Sequence, residues 1–335
     1  MDWGGADVAI VPPPPKGDER VEVVADTGGL RPLPNGPVVY YVRRTADGVV
    51  MMPVGEVAGD SLAPITPGDD WRQYGNRYIA ELLRQGSEFT LFRNGRRAGT
   101  FVVESATPPP PGACPLLPVA SGSLELAARD DSTTEYIAMP KRQAPEPQRM
   151  PTDMVPSRRM QVLGPILAER LLRARQSQLP GNWQAAMKQI YPFPVEGAPL
   201  PGFAGTLLVG DELRRGGNTT GFSLFFVVTP NAQASYDTVY ARYTSYPQEG
   251  KLAPRTVDFL DWDRDGQVEL LLYYYGADDE FFAAAGNRGE DGPWDMIFFH
   301  RCEQGGRPAA GPVAVESTND TIGGSGPGGA DTVRQ

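Results

Sequence analysis

Proline divides this chain before any other residue does. Tracts at 12-PPPP-15, 107-TPPPPGACPLLP-118, 140-PKRQAPEPQRMPTDMVP-156 and 192-PFPVEGAPLP-201 leave only short stretches between them. A proline inside a helix removes a hydrogen bond and clashes with the preceding turn, so long helices are excluded across these tracts. The 34 Pro and 39 Gly among 335 residues therefore point to short strands, turns and connectors. At 40% apolar residues the chain can still bury a core, and its length suits two modest ones.

The pieces between the tracts read mainly as β. Residues 1–18 form an extended arm. An N-terminal β unit with one helix follows over 19–106, with strands in 21-VEVVAD, 37-PVVYYVRR and 88-EFTLFRNGRRAGTFVVE. The Asn94-Gly95 pair between two alternating apolar runs is a hairpin turn. Tyr74, Tyr78, Ile79, Leu82 and Leu83 recur at helical spacing, with Asp69 or Asp70 before them and Gly86 after. Residues 107–157 are expected to be a Pro-rich linker carrying a short hairpin, 123-SLELAA and 134-TEYIAM. The segment 158–202 is expected to be helical. Its first helix, 158-RRMQVLGPILAERLLRARQ-176, kinks near Gly164-Pro165, and a second lies around 182-NWQAAMKQI. A C-terminal β domain occupies 203–304, and 305–335 is a disordered Gly-rich tail. The expected fold class is β-rich, mainly β with a few helices: two small β units joined by a Pro-rich, partly helical middle segment.

The net charge of −10 argues against a nucleic-acid binder, which needs clustered Lys and Arg for phosphate. The acidity is local, with eleven acids against three arginines between Arg255 and Asp295, and suits a cation. No apolar run approaches the roughly 20 residues of a transmembrane helix. The first residues show no signal peptide, so the chain is either cytoplasmic or a mature form trimmed of one. Cys114 and Cys302 are compatible with one disulfide or with two separate thiols.

The acidity centres on 261-DWDRDGQVELLLYYY-275, where three aspartates alternate ahead of a glycine and a strongly apolar run. Such crowding of carboxylates costs more repulsion than a turn requires, and a hard cation with about 6 to 8 oxygen ligands would relieve it. Asp261, Asp263 and Asp265 offer carboxylates, the Gln267 carbonyl a fourth oxygen, and Glu269 a further acid. Leu272 stands where an EF-hand has its bidentate acid, and strands rather than helices flank the loop. The arrangement resembles the calcium loop of FG-GAP and VCBS-type repeats, the blades of integrin-like propellers. Asp261, Asp263, Asp265 and Gly266 match that pattern, Glu269 replaces its final Asp, and Val268, Leu270 and Leu271 match the strand. The resemblance covers some 20 residues in a single copy and implies calcium as the cofactor, not a propeller, which needs several blades.

Two enzyme signatures occur. The tetrapeptide 59-GDSL-62 resembles the nucleophile block of GDSL hydrolases, with Ser61 as nucleophile. His300, the sole histidine, follows Asp295 at five residues where that family has three. The 26-DTG-28 triplet resembles the aspartic-peptidase signature at Asp26, with no second copy in the chain. The helix 158–176 carries Arg158, Arg159, Arg170, Arg173 and Arg175 beside its leucines, so it packs on the core, docks an acidic partner or an anionic membrane face, or pairs with the chain's own acidic C-terminal unit. The reading favoured is a non-enzymatic, extracytoplasmic binding or structural protein with a calcium-stabilised β domain and an unidentified protein or surface ligand. A hydrolase using Ser61 or Asp26, or a docking protein acting through the arginine helix, are the alternatives.

Overall fold

The computed structural model describes residues 31–109, 116–127, 133–146, 154–175, 183–217, 220–289 and 292–301. The N-terminal arm, Asp26, Cys114, Cys302 and the Gly-rich tail lie outside these. The first strands are β1 (Val38–Thr45), β2 (Gly48–Ala58) and β3 (Ser61–Ala63), followed by helix α1 (Trp71–Leu82). Then come β4 (Glu88–Arg93), β5 (Arg96–Thr107), β6 (Val119–Leu126) and β7 (Glu135–Pro140). Six of these strands close a ring in the order β1-β7-β4-β5-β6-β2, with β1 hydrogen-bonded back to β2 and β3 added beside β2. All pairings are antiparallel. The β4–β5 turn is the expected Asn-Gly pair, with positive φ at both Asn94 and Gly95 as a type I′ turn requires.

Here the structure corrects the linker with a short hairpin. Strands β6 and β7 do not pair with each other: β6 lies between β5 and β2, and β7 between β1 and β4. Closing the ring satisfies both backbone edges of each strand, which an isolated hairpin leaves exposed. The residues of β1 alternate accordingly. Val38, Tyr40 and Val42 point into the ring with Phe89, Leu91, Phe101 and Tyr136, and Tyr74, Tyr78 and Leu83 of the α1 segment join that core. Val39 and Tyr41 point outward.

After helix α2 (Arg158–Ala174) comes a second correction. Only 183–186 is helical, as one 3-10 turn, and the rest of the expected second helix is strand β8 (Met187–Phe193). Pro192 biases the preceding residue toward extended backbone, and proline is tolerated on an edge strand such as β8. Strands β9 (Gly202–Val209), β10 (Phe222–Pro230) and β11 (Tyr236–Ser245) complete a sheet of order β11-β10-β9-β8. A short helix, α3 (Tyr246–Glu249), leads to a third sheet. This consists of β12 (Ala253–Leu260), β13 (Glu269–Tyr275), β14 (Glu280–Asn287) and β15 (Trp294–Phe299), paired in sequence. The protein is thus β-rich, and its described residues belong to one compact unit.

The layers stack in a definite order. The outer side of the ring (Val39, Tyr41, Ile137, Met139) packs on one face of the β12–β15 sheet, formed by Val257, Leu271, Phe282 and Phe298. The opposite face of that sheet, with Phe259, Leu270, Leu272, Tyr274 and Phe281, packs on Phe193, Phe225 and Val227 of the β8–β11 sheet. The far side of β8–β11 receives Met160, Leu167, Ala168 and Leu172 of α2 against Phe203, Leu207 and Phe226. The β12–β15 sheet is therefore covered on both faces. That explains why β13 reads as an uninterrupted apolar run instead of alternating with polar residues.

Polar side chains pin the layers in register. Asp258, fully buried, accepts from the Asn94 N–H at 2.9 Å, Arg93 Nη1 at 3.3 Å, the Tyr191 hydroxyl at 3.0 Å and the Phe259 N–H at 2.8 Å. One carboxylate so ties the ring's Asn-Gly turn to β12 and to β8. Arg255 grips Glu135 with two bonds of 2.7 Å, and the Tyr41 hydroxyl donates to the same carboxylate. Gln189 satisfies both backbone groups of Thr256 on the outer edge of β12, at 2.7 and 2.8 Å. The buried Lys251 ammonium donates to Asp211 Oδ1 at 2.9 Å and to the carbonyls of Arg214 and Gly216 at 2.7 Å each.

Candidate metal centre

The aspartate loop joins β12 to β13, so its two ends are fixed by the doubly covered sheet. Within it each carboxylate first organises the backbone. Asp261 Oδ2 accepts from the Gly266 N–H at 3.2 Å, Asp263 Oδ1 from the Asp265 N–H at 3.2 Å, and Asp265 Oδ1 from the Gln267 N–H at 2.7 Å. Two residues take left-handed backbone to close the turn, Arg264 at φ +70° and Gly266 at φ +95°. Arg264 then reaches out of the loop, donating Nη2 to the Gln143 carbonyl at 2.8 Å.

The result brings Asp261, Asp263 and Asp265 together, each offering one carboxylate oxygen within 4.8 Å of the others. Two oxygens bound to the same calcium at about 2.3–2.6 Å lie at most about 5 Å apart, so this group fits a single cation. Among the described residues it is the only group of three or more His, Cys, Asp or Glu with that property. Glu269 stands at the start of β13, buried, accepting from the Trp262 N–H at 3.0 Å. Gln267 turns its side-chain oxygen to the Asn287 amide, which ties the loop to β14.

The electrostatics of the loop oppose ionisation. Burial pushes the Asp263 carboxyl up to about 6, and the neighbouring Asp265 and Asp261 add to that push. Burial also holds Glu269 well above the usual carboxylate range, with Asp263, Asp261 and Asp265 acting the same way. A bound divalent cation would offset both the desolvation and the crowding.

A residue that sequence reasoning missed also approaches the loop. Glu196, from the Pro-rich crossing between β8 and β9, places its carboxylate against Gly266, where a Cβ would sit 3.0 Å from Oε2. Its neighbours in the chain, 194-PVEGAP, carry no ligand signature, so only the fold could reveal it. A recess lined by Arg142, Ala144, Pro145, Glu146, Asp261 and Arg264 opens beside the loop.

The other candidate residues are placed differently. Ser61 is the first residue of β3, beside the β2–β3 turn, and donates Oγ to the Ala58 carbonyl at 3.1 Å. His300 is half-buried and lines a small apolar cavity with Val54, Ile65, Leu117, Phe281, Phe282 and Phe298; burial lowers its pKa. None of these six neighbours is an acid that could orient the imidazole. No helix among the described residues is long and apolar enough to cross a membrane. No protein-family model, curated protein or solved structure matches this chain.

Proposed function

We propose that the protein is a non-enzymatic binding or structural protein of the extracytoplasmic space, whose strands β12 and β13 are fastened together by calcium at the 261–269 loop. The observation that supports this is the convergence of three aspartate oxygens within 4.8 Å, near a buried Glu269. Oxygen-only donors on a short loop suit a hard cation, and calcium's tolerance of irregular geometry suits it better than magnesium's demand for a strict octahedron. The FG-GAP-like order of Asp261, Asp263, Asp265, Gly266 and Glu269 points to the same ion. Extracellular calcium modules bind weakly, at about 10⁻⁴–10⁻³ M, where free calcium is plentiful; this motivates the assignment of compartment.

The test is thermal unfolding with calcium, with magnesium and with chelator, on the wild type and on Asp263→Ala. Calcium at about 100 times its dissociation constant is expected to stabilise the wild type by about 2.7 kcal/mol. That corresponds to a rise of several degrees, smaller with magnesium and absent in Asp263→Ala. Equal melting with calcium and with chelator in the wild type would overturn the reading.

A further inference from the structure

Helix α2 meets two environments. Its inner side lies on the β8–β11 sheet, and Gly164 permits the approach, since a Cβ there would come within 2.9 Å of Ile190 Cδ1. Its outer side carries Arg158, Val162, Ile166 and Arg170 at four-residue spacing. Residues so spaced stand one above another on a helix, in a ridge about 18 Å long. Four large apolar side chains are exposed among the described residues: Val155 at 69%, Val162 at 56%, Ile166 at 49% and Phe299 at 36%. Three of the four belong to α2 or to the residues leading into it.

The five arginines of this segment divide by use. Arg159 donates to the Ala234 carbonyl at 2.7 Å and lies 5.4 Å over the Tyr236 ring, and Arg175 lies 5.4 Å over Tyr243. Arg173 pairs with Glu169 at 2.7 Å. Those three secure the helix to its sheet or to itself. The side chains of Arg158 and Arg170 have no ion pair or hydrogen bond among the described residues. They are also the two that bracket Val162 and Ile166.

We infer that this ridge docks an acidic amphipathic helix of another protein, its apolar side chains covering Val162 and Ile166 and its carboxylates meeting Arg158 and Arg170. The i, i+4 row is inclined to the helix axis, so a second helix seats along it at a crossing angle of about −50°, and the charge supplies complementarity at both ends. An anionic bilayer is the poorer occupant. The two exposed apolar side chains of the ridge, Val162 and Ile166, offer little area for insertion among acyl chains. The ridge also lacks the Phe, Trp or Leu that penetrates an interface.

The experiment uses the full chain and a fluorescent helical peptide of about 16 residues, with two leucines one turn apart flanked by glutamates. A matched peptide has lysines in place of the glutamates, and binding is read by anisotropy at low and at physiological salt. Two variants are compared, Val162→Ser/Ile166→Ser and Arg158→Glu/Arg170→Glu, both exposed sites whose folding is checked by melting. The acidic peptide should bind saturably to the wild type and weaken about tenfold or more in each variant. The arginine-reversed variant should prefer the lysine peptide. Absent binding of the acidic peptide, or equal binding by wild type and variants, overturns the inference. So does ridge-dependent binding to phosphatidylserine vesicles, or ridge-dependent self-association in sedimentation, when the peptide does not bind.

Discussion

Asp258 shows how much of the protein's organisation rests on single buried groups. Burial pushes its carboxyl up to about 6, against the pull of Arg93 and of the Phe259 and Asn94 N–H groups, from an ordinary value of 3.8. A folded-state pKa above the unfolded one means the folded state holds the proton more tightly between these values. Asp258 therefore favours folding most below about pH 4, and that contribution is lost as pH rises through 6. In urea unfolding, the wild type should lose stability relative to Asp258→Asn between pH 4.5 and 7.5; a pH-independent difference would refute it. A second residue-scale test concerns Gly205, where a Cβ would come within 2.3 Å of the Phe226 ring. The ring is fully buried among Phe203 and the α2 residues Met160 and Leu167, so Gly205→Ala should cost about 2 kcal/mol or more in denaturant unfolding. At this scale the sequence was informative where acids alternate along a short loop. Asp261, Asp263 and Asp265 are two residues apart, and their meeting is a local matter. Glu196 reaches the same loop from the β8–β9 crossing and Asn287 from β14, and no spacing rule could have brought them there.

Among the elements, strands with an Asn-Gly turn or strong alternation were legible, as in β4 and β5. The failures have a common cause. The stretch 182-NWQAAMKQI has the composition of a helix, but from Met187 onward it pairs with β9, and tertiary pairing overrides local propensity. Likewise β6 and β7 looked like a hairpin because they are near in sequence. Their partners are β5 and β2, and β1 and β4, which sequence proximity does not reveal. The edge of β12 carries its own protection in Gln189, whose amide answers the N–H and C=O of Thr256 as a neighbouring strand would. Gln189→Ala should remove both bonds, costing about 1–3 kcal/mol by thermal or urea unfolding. It should also raise the rate of aggregation seen by light scattering, since it uncovers a strand edge. Unchanged stability in that variant would mean that another group takes over the edge.

Across the whole molecule, apolar faces are shared rather than private. The ring's outer residues Val39, Tyr41, Ile137 and Met139 belong to the same core as Val257, Leu271 and Phe298, more than 100 residues away in the chain. Far- and near-ultraviolet circular dichroism should accordingly report coincident unfolding transitions for the full chain. A chain truncated after Glu146 should bind a hydrophobic dye strongly, because that outer face loses its cover. Separate transitions, or a truncated ring that stays monomeric and dye-free, would show that the layers are stable independently. The long-range pairing of these faces is also what the sequence concealed, since its proline tracts left open whether the two β units touch. The β12–β15 sheet, enclosed on both sides, carries a further consequence that is kinetic. It cannot leave its place until both neighbours have parted, so proteases and pulling forces alike should act first on the outer layers. The 261–269 loop is anchored to the sheet that lets go last, and an ion held there would lengthen the lifetime of the native state.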